Sequence, residues 1–357
     1  MERIPVSEIE TPALLLDMDA LEWNVAAMCR QMQGKPAKLR PHFKTHKSVD
    51  IARMQIAAGA KGITCAKTGE AEVLAEAGIT DILIANQIVD HKKLLRVAEM
   101  AKKGAKMTIL ADNAVNIWDI AAAAITHGTQ IHILVELDVG MGRCGVASGE
   151  AVLDLAKQIN KTPGLIFDGI QAYEGHLSHI PEEAARREGV REMLEKVKGA
   201  VALLNANGAA VIEVSGAGTG TYYITGEDAV WTELQAGSYV FMDLEYGKLG
   251  LGFRQALTVS STVIHKRPGF AVTDAGLKTC GTDQGLPVIK GHPKISVVLN
   301  EEHGKLADAG NELHYRQKIE YVPGHCCSTV NLNDEYYCVR GGFLEAVWPI
   351  AGRGKSR

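Results

Sequence analysis

Residues 131–145 read IHILVELDVGMGRCG, a run dominated by Ile, Leu and Val that stops at Asp138 and opens into a glycine-rich turn carrying Arg143. Seven residues rich in β-branched side chains are too few for a helix and suit a strand buried on both faces. The same unit recurs on either side. Short apolar runs stand at Leu39–Phe43, Gly62–Ala66, Asp81–Ala85, Met107–Ala111, Phe167–Tyr173, Val211–Ser215 and Leu234–Phe241. Ala-rich stretches with helical spacing, such as Val49–Ala60 and Gly69–Ala77, lie between them. Strand and helix in alternation predict parallel strands joined by crossover helices. Eight such units over this length predict a closed (β/α)8 TIM-like barrel.

After residue 255 the pattern changes to short strands without long helical periodicity. These are Val259–Ile264, Ala271–Thr273, Ile295–Leu299, Ile319–Val322, Tyr336–Val339 and Leu344–Trp348, with a hairpin turn at Arg340–Phe343. The expected architecture is therefore α/β. A barrel over 22–250 is followed by a mostly antiparallel β domain over 251–357, and residues 1–21, with the run Ala13–Met18, join either domain.

Composition narrows the function. The chain has 357 residues with 46% hydrophobic and 22% charged, an ordinary globular balance. A net charge of -4 gives no basic field for nucleic acid. No apolar run approaches the ~18 residues of a membrane span. The N-terminal MERIPVSEIETP lacks a basic stretch followed by an apolar one. Seven scattered cysteines, an odd number, point to a reducing compartment rather than a disulfide framework. The expectation is a cytoplasmic protein.

Polar residues cluster just after five of the expected barrel strands, the rim where barrel enzymes carry their sites. Lys44 and Lys47 follow the first, Arg143 the fifth, Tyr173, His176 and His179 the sixth. Ser215–Thr221 (SGAGTGT) follows the seventh and Gly237–Tyr239 the eighth. The glycine stretch is either an anion cradle or a tight turn. It is neither a P-loop nor a dinucleotide fingerprint, because the spacing is wrong for both. Lys44 is an amine nucleophile if its strand-end position desolvates it, and a surface lysine otherwise. Arg143 suits a phenolate or carboxylate, or a structural ion pair. Tyr173 serves as an acid/base or as a half-buried aromatic. His176 and His179 are bases, metal ligands or structural residues. His325 and Cys327, two apart on an extended segment, would point the same way toward a divalent metal; otherwise His325–Cys327 is a loop with buried thiols.

Taken together, RPHFKTHKSVD, VELDVGMGRCGV, IQAYEG, VSGAGTG, ELQAGSYVFMD, TDAGLK, EEHG, VPGHCCSTVNL and VWPIAGRG resemble the D-threonine aldolase group across nearly the whole chain. That group includes 3-hydroxy-D-aspartate aldolases, is related to D-serine dehydratases, and looks like alanine racemase in fold. The resemblance implies a pyridoxal 5'-phosphate (PLP) enzyme. Lys44 would be its Schiff-base lysine, Arg143 would contact the phenolic oxygen, and Tyr173 would lie near the pyridine ring. Gly218, Thr219, Gly220, Gly237, Ser238 and Tyr239 would hold the phosphate. His325 and Cys327 would ligate a divalent metal, and His179 would lie near the substrate hydroxyl.

The pattern departs at one point. Many D-threonine aldolases carry His-x-Asp where this chain has His325-x-Cys327, as D-serine dehydratases do. A thiolate favours Zn, whereas a carboxylate favours Mg, Ca or Mn. The implied reaction is retro-aldol cleavage of a D-3-hydroxy amino acid to glycine and an aldehyde, in a homodimer. The alternatives are dehydration of D-serine or 3-hydroxy-D-aspartate, a non-catalytic PLP-binding barrel, and a sugar-phosphate barrel enzyme without PLP.

Overall fold

The computed structural model describes residues 4–357. Two compact units emerge from its contacts. One comprises Cys29–Lys44, Ile51–Gly237 and Lys355–Arg357; the other comprises the residues up to Met28, Thr45–Asp50 and Ser238–Gly354.

The first unit is the barrel. Its eight parallel strands are Lys38–Leu39, Ile63–Cys65, Asp81–Gln87, Lys106–Ala111, Ile131–Glu136, Leu165–Ala172, Glu213–Gly216 and Glu233–Leu234. Neighbours in sequence pair in space, and the eighth pairs with the first. The ring closes between the first and second strands. There Lys61 N–H donates to Leu39 O at 2.8 Å, Thr64 N–H donates to Pro41 O at 2.9 Å, and His42 bridges Thr64. Leu83, Leu110 and Leu134 stack inside. The helices cover the outside with one apolar face each. Gly149–Lys161 buries Val152, Leu155, Ala156 and Ile159 at helical spacing and is capped by Ser148 Oγ on Ala151 N–H.

All eight expected runs hold a strand, but the first and the eighth are cut to two residues each. Regular pairing of the first stops at Leu39, because Pro41 has no N–H for a ladder. The chain then winds into a 3-10 turn at Phe43–Thr45, so Lys44 sits on a turn rather than at a strand end. The eighth stops at Leu234, and Ser238–Val240 is again a 3-10 turn.

Charged groups fill the N-terminal end of the barrel. Arg40, 2% exposed, donates through Nε to Glu233 at 2.8 Å and through a terminal nitrogen to Asp81 at 2.7 Å. Lys61 pairs with Glu213 and, at 3.3 Å, with Glu233. Asp81, Glu213 and Glu233 are the first residues of their strands.

The second unit holds a nine-stranded sheet. Its main path runs Ser296–Leu299, Gly304–Asp308, Gly269–Thr273, Leu257–Arg267, Ala13–Asp17, Glu335–Arg340, Phe343–Pro349. Lys318–Val322 pairs with Leu257–Arg267 and with Val288–Ile289. Every pairing is antiparallel except that of Ala13–Asp17 with Glu335–Arg340. The N-terminal strand thus belongs to this sheet. Gly341 and Gly342, at φ 57° and 84°, make the hairpin turn that joins the last two strands. Two strands went unread in the sequence: Val288–Ile289, too short to show a pattern, and Gly304–Asp308, whose alternating burial is carried by GKLAD.

The segment around His325 is not extended as expected. Cys326–Asn331 is a short helix with His325 at its N-cap position. The cause is Asp243, whose carboxylate accepts the Cys326 N–H at 3.0 Å and so caps the first turn. All seven cysteines are free thiols. Among the described residues no helix is long and apolar enough to cross a membrane.

Arg40→Met leaves the 2%-exposed Glu233 side chain with Lys61 as its one cation among the described residues. Removing one partner from a buried ion pair costs about 3 kcal/mol or more. Urea unfolding of the variant is expected to show that loss.

Candidate active site

The C-terminal rim of the barrel brings Lys44, Arg143, Tyr173 and Gly218 together. Tyr173, just past the end of Leu165–Ala172, is the hub. Lys44 Nζ lies 5.9 Å from the centre of its ring and Arg143 Cζ lies 5.8 Å from it. Gly175 and Gly218 pack against that ring; a Cβ on Gly175 would come within 2.5 Å of it, and one on Gly218 within 3.6 Å. Lys44 is exposed, while Pro41–Phe43 and Thr45–Ser48 around it are buried. The expected desolvation of Lys44 is therefore absent. Lys44 is the middle residue of the 3-10 turn Phe43–Thr45.

Arg143 is held by its turn. Asp138 Oδ1 accepts the N–H groups of Gly140 and Gly142 at 2.9 and 3.1 Å. Burial pushes this carboxyl up, but those N–H groups, that of Met141 and the Lys196 ammonium outweigh it and hold it below the usual range.

The loop after Glu213–Gly216 is pressed against the turn after Tyr173. A Cβ on Gly220 would stand 1.9 Å from Ser178 O, and one on Gly218 would stand 2.8 Å from Ser178 Oγ. Only glycine allows this approach. Ser178 is 1% exposed, and its Oγ has no hydrogen-bond partner among the described residues. A buried hydroxyl without a partner, set in a glycine cradle, fits an acceptor-rich group such as a phosphate. With Lys44 and Arg143 nearby, these residues fit PLP. Glu174 was missed in the sequence although it lies inside the quoted IQAYEG. It is fully buried and accepts from Ala217 N–H, Thr221 Oγ1 and Thr225 Oγ1. Ser178 was missed because nothing in its neighbours marks it.

His176 and His179 are exposed, His179 in the turn after Gly175–Leu177. Thr219 is buried beside Gly218 and Gly220. Gly237 is the last barrel residue before the chain passes into the second unit at Ser238. In that unit Tyr239 is buried with its ring 5.5 Å from Phe253, and Ser238 Oγ lies 3.9 Å from Cys327 Sγ. The expected phosphate set is thus divided between the two units.

In the second unit His325, still extended at the N-cap, and Cys327, in the first helical turn, hydrogen-bond each other. Cys327 Sγ also meets Thr45 Oγ1 at 3.4 Å. Hydrogen bonding from Cys326 and the nearby His325 imidazole pull the Cys327 thiol far down, and Cys326 rises correspondingly. Burial disfavours the His325 imidazolium, yet Cys327 and Asp283 raise it to about 9. Asp283, 42 positions away and carried by no motif, accepts from His325 Nδ1 at 2.7 Å. That bond leaves Nε2 as the nitrogen for a metal, the usual carboxylate–histidine orientation. An imidazole beside a thiolate fits a borderline divalent ion such as Zn. The only set of three metal-type donors among the described residues lies elsewhere, at Asp112, Glu136 and Cys144. There Gly145 N–H, Gln87 and Gln171 already occupy carboxylate oxygens.

Comparison with known proteins bears on this geometry. Residues 16–245 match the alanine racemase N-terminal domain, and residues 256–339 match a putative serine dehydratase domain. Over 98% of this chain and 94% of the relative, the sequence is 41% identical to a 3-hydroxy-D-aspartate aldolase of Paracoccus denitrificans (strain Pd 1222). It is 38% identical to a D-threonine aldolase of Arthrobacter sp over 99% of this chain and 95% of that one. The chain belongs to the D-threonine aldolase and 3-hydroxy-D-aspartate aldolase family. The crystal structure of D-threonine aldolase from Filomicrobium marinum superimposes with a TM-score of 0.96 at 36% identity, covering 99% of this chain and 98% of the other. The barrel and β architecture is thus that of the aldolase family, and with the alanine racemase likeness it supports PLP as the cofactor.

Gly220→Ala forces a Cβ into Ser178 O. The loop must move, and PLP affinity is expected to fall about tenfold or more, since overpacking of this kind costs about 1–3 kcal/mol. Cofactor titration of the apoprotein, with circular dichroism as the folding control, measures it.

Proposed function

We propose that this protein cleaves D-3-hydroxy amino acids of the D-threonine type to glycine and an aldehyde, using PLP and a divalent metal. The observation that carries the reading is the Tyr173 ring flanked by Lys44 and Arg143 above the glycine loop. The barrel unit carries Lys44, Arg143, Tyr173 and the glycine loop, and the second unit carries Ser238, Tyr239, His325 and Cys327. The protein works in the cytoplasm as a homodimer, on a small-molecule substrate, with neither nucleic acid nor membrane as partner.

Lys44 would hold the cofactor covalently through its Nζ. Arg143 donates to the phenolic oxygen and Tyr173 lines the pyridine ring. Gly218, Thr219, Gly220, Gly237, Ser238 and Tyr239 hold the phosphate, with the Ser178 hydroxyl as a further donor. His325 and Cys327 hold the metal, Zn on these donors and Mn, Mg or Ca if oxygen ligands dominate. When bound, the cofactor would supply an electron sink for the pair left by the broken Cα–Cβ bond, and the metal would lower the pKa of the β-hydroxyl. His179 takes the hydroxyl proton as the aldehyde leaves. Cα must gain one proton to complete glycine, and Lys44 would hold the cofactor again once glycine has left.

The serine dehydratase match over 256–339, which spans the His-x-Cys residues, favours one second reading: loss of the hydroxyl as water. Product analysis separates the two. Metal-replete enzyme with D-threonine is expected to give glycine and acetaldehyde; 2-oxobutyrate and ammonia would establish the dehydratase instead.

Lys44→Ala is expected to remove the visible absorbance of lysine-bound PLP and to lower activity by about a thousandfold or more. Ordinary turnover with the colour retained would overturn the role of Lys44. The double variant His325→Ala/Cys327→Ala is expected to keep PLP bound and lose cleavage. A normal rate for that variant in chelator would overturn the metal assignment.

A further inference from the structure

Glu174 is a carboxylate where a carboxylate is costly. Its side chain is fully buried in the barrel unit, beside the loop that accepts an anion in the reading above. Burial pushes its carboxyl up, against the hydrogen bonds of Thr225, Thr221 and Ala217. A second negative group at this place repels a phosphate rather than attracting it. Its value therefore lies in geometry.

The geometry is specific. Glu174 Oε2 accepts the Ala217 N–H at 3.0 Å, while Oε1 accepts the Thr221 and Thr225 hydroxyls at 2.8 and 2.7 Å. Thr221 Oγ1 in turn accepts the Gly218 N–H at 3.2 Å. One side chain thus ties both ends of the glycine loop. Ala217 has φ 63°, a left-handed conformation that a residue with a Cβ rarely adopts. The hydrogen bond from its N–H to Glu174 holds it there.

A second observation comes from the same turn. Ser178 N–H donates to Gly175 O at 3.2 Å, so Glu174 and Ser178 sit at the two ends of one tight turn. The Ser178 hydroxyl, buried and without a partner among the described residues, lies against Gly218. Glu174 satisfies the donors of the loop and leaves that hydroxyl over for a ligand.

We propose that Glu174 is the positioning residue of the phosphate loop: its buried carboxylate fixes the backbone of Ala217–Thr221 in the shape that receives the phosphate of PLP. The proposal rests on the PLP reading above. Three converging donors need two acceptor oxygens, which a carboxylate has and an amide lacks.

The test compares PLP with pyridoxal, which has the same ring and aldehyde but no phosphate. Apoprotein of the wild type, Glu174→Gln and Thr225→Val is titrated with each, following the absorbance of the lysine-linked ligand. Glu174→Gln is expected to weaken PLP about 10- to 100-fold while pyridoxal changes by less than about twofold; each lost hydrogen bond accounts for about a tenfold step. Thr225→Val removes one donor and is expected to show the same split at about three- to tenfold, which keeps the proposal testable if Glu174→Gln fails to fold. Equal losses for both ligands would make Glu174 a general structural residue and overturn the proposal. Unchanged PLP affinity would overturn it as well. Wild-type apoprotein that takes up neither ligand would overturn the PLP reading itself, a result distinct from the other two.

Discussion

A sheet that ends leaves a row of N–H and C=O groups with nothing to pair with, and a parallel sheet escapes this only by closing on itself. In this chain closure hangs on a few backbone bonds between the first and second strands, Lys61 to Leu39 and Thr64 to Pro41. Once they form, eight strands point the same way, and their C-terminal ends make one ring of loops. Residues more than a hundred positions apart then become neighbours. Tyr173 between Lys44 and Arg143 is a direct result.

The two ends of the barrel manage charge differently. At the N-terminal end Arg40 and Lys61 meet Asp81, Glu213 and Glu233, each ion matched by an opposite one. Two cations are shared among three carboxylates, so each charge there has a counter-ion in contact. At the rim the polar groups are satisfied asymmetrically. Glu174 and Asp138 collect backbone and hydroxyl donors from the glycine turns, while the hydroxyl of Ser178 has no partner among the described residues and Lys44 and Arg143 stand exposed. Rigid turns with unused donors are what an anionic ligand requires.

A similar division appears in the second unit. Asp243 collects the N–H groups of Tyr246 and Cys326, which fixes the short helix bearing Cys327. Asp283 orients the His325 ring, and the Cys327 thiol, drawn down by Cys326 and the imidazole, meets the Thr45 hydroxyl. The donor atoms are held by carboxylates that would not themselves be ligands.

The sequence by itself determined the architecture, because hydrophobic period and turn chemistry are local properties. The eight apolar runs, the later short strands, the glycine loop at Gly218–Gly220 and the family motifs were legible for that reason. Candidates such as Lys44, Tyr173 and Arg143 could be named, since each sits at the end of a readable run. What only the tertiary structure decided depends on partners distant in the chain. The shortening of the first strand comes from where Pro41 falls in the ladder, and the helix at Cys326–Asn331 comes from a cap supplied by Asp243. The pairing of His325 with Asp283, and the collection of Ala217, Thr221 and Thr225 by Glu174, are set by side-chain contacts across 42 to 51 positions. No local pattern encodes such contacts, because the hydrogen bond exists only after the barrel or the sheet has brought donor and acceptor together.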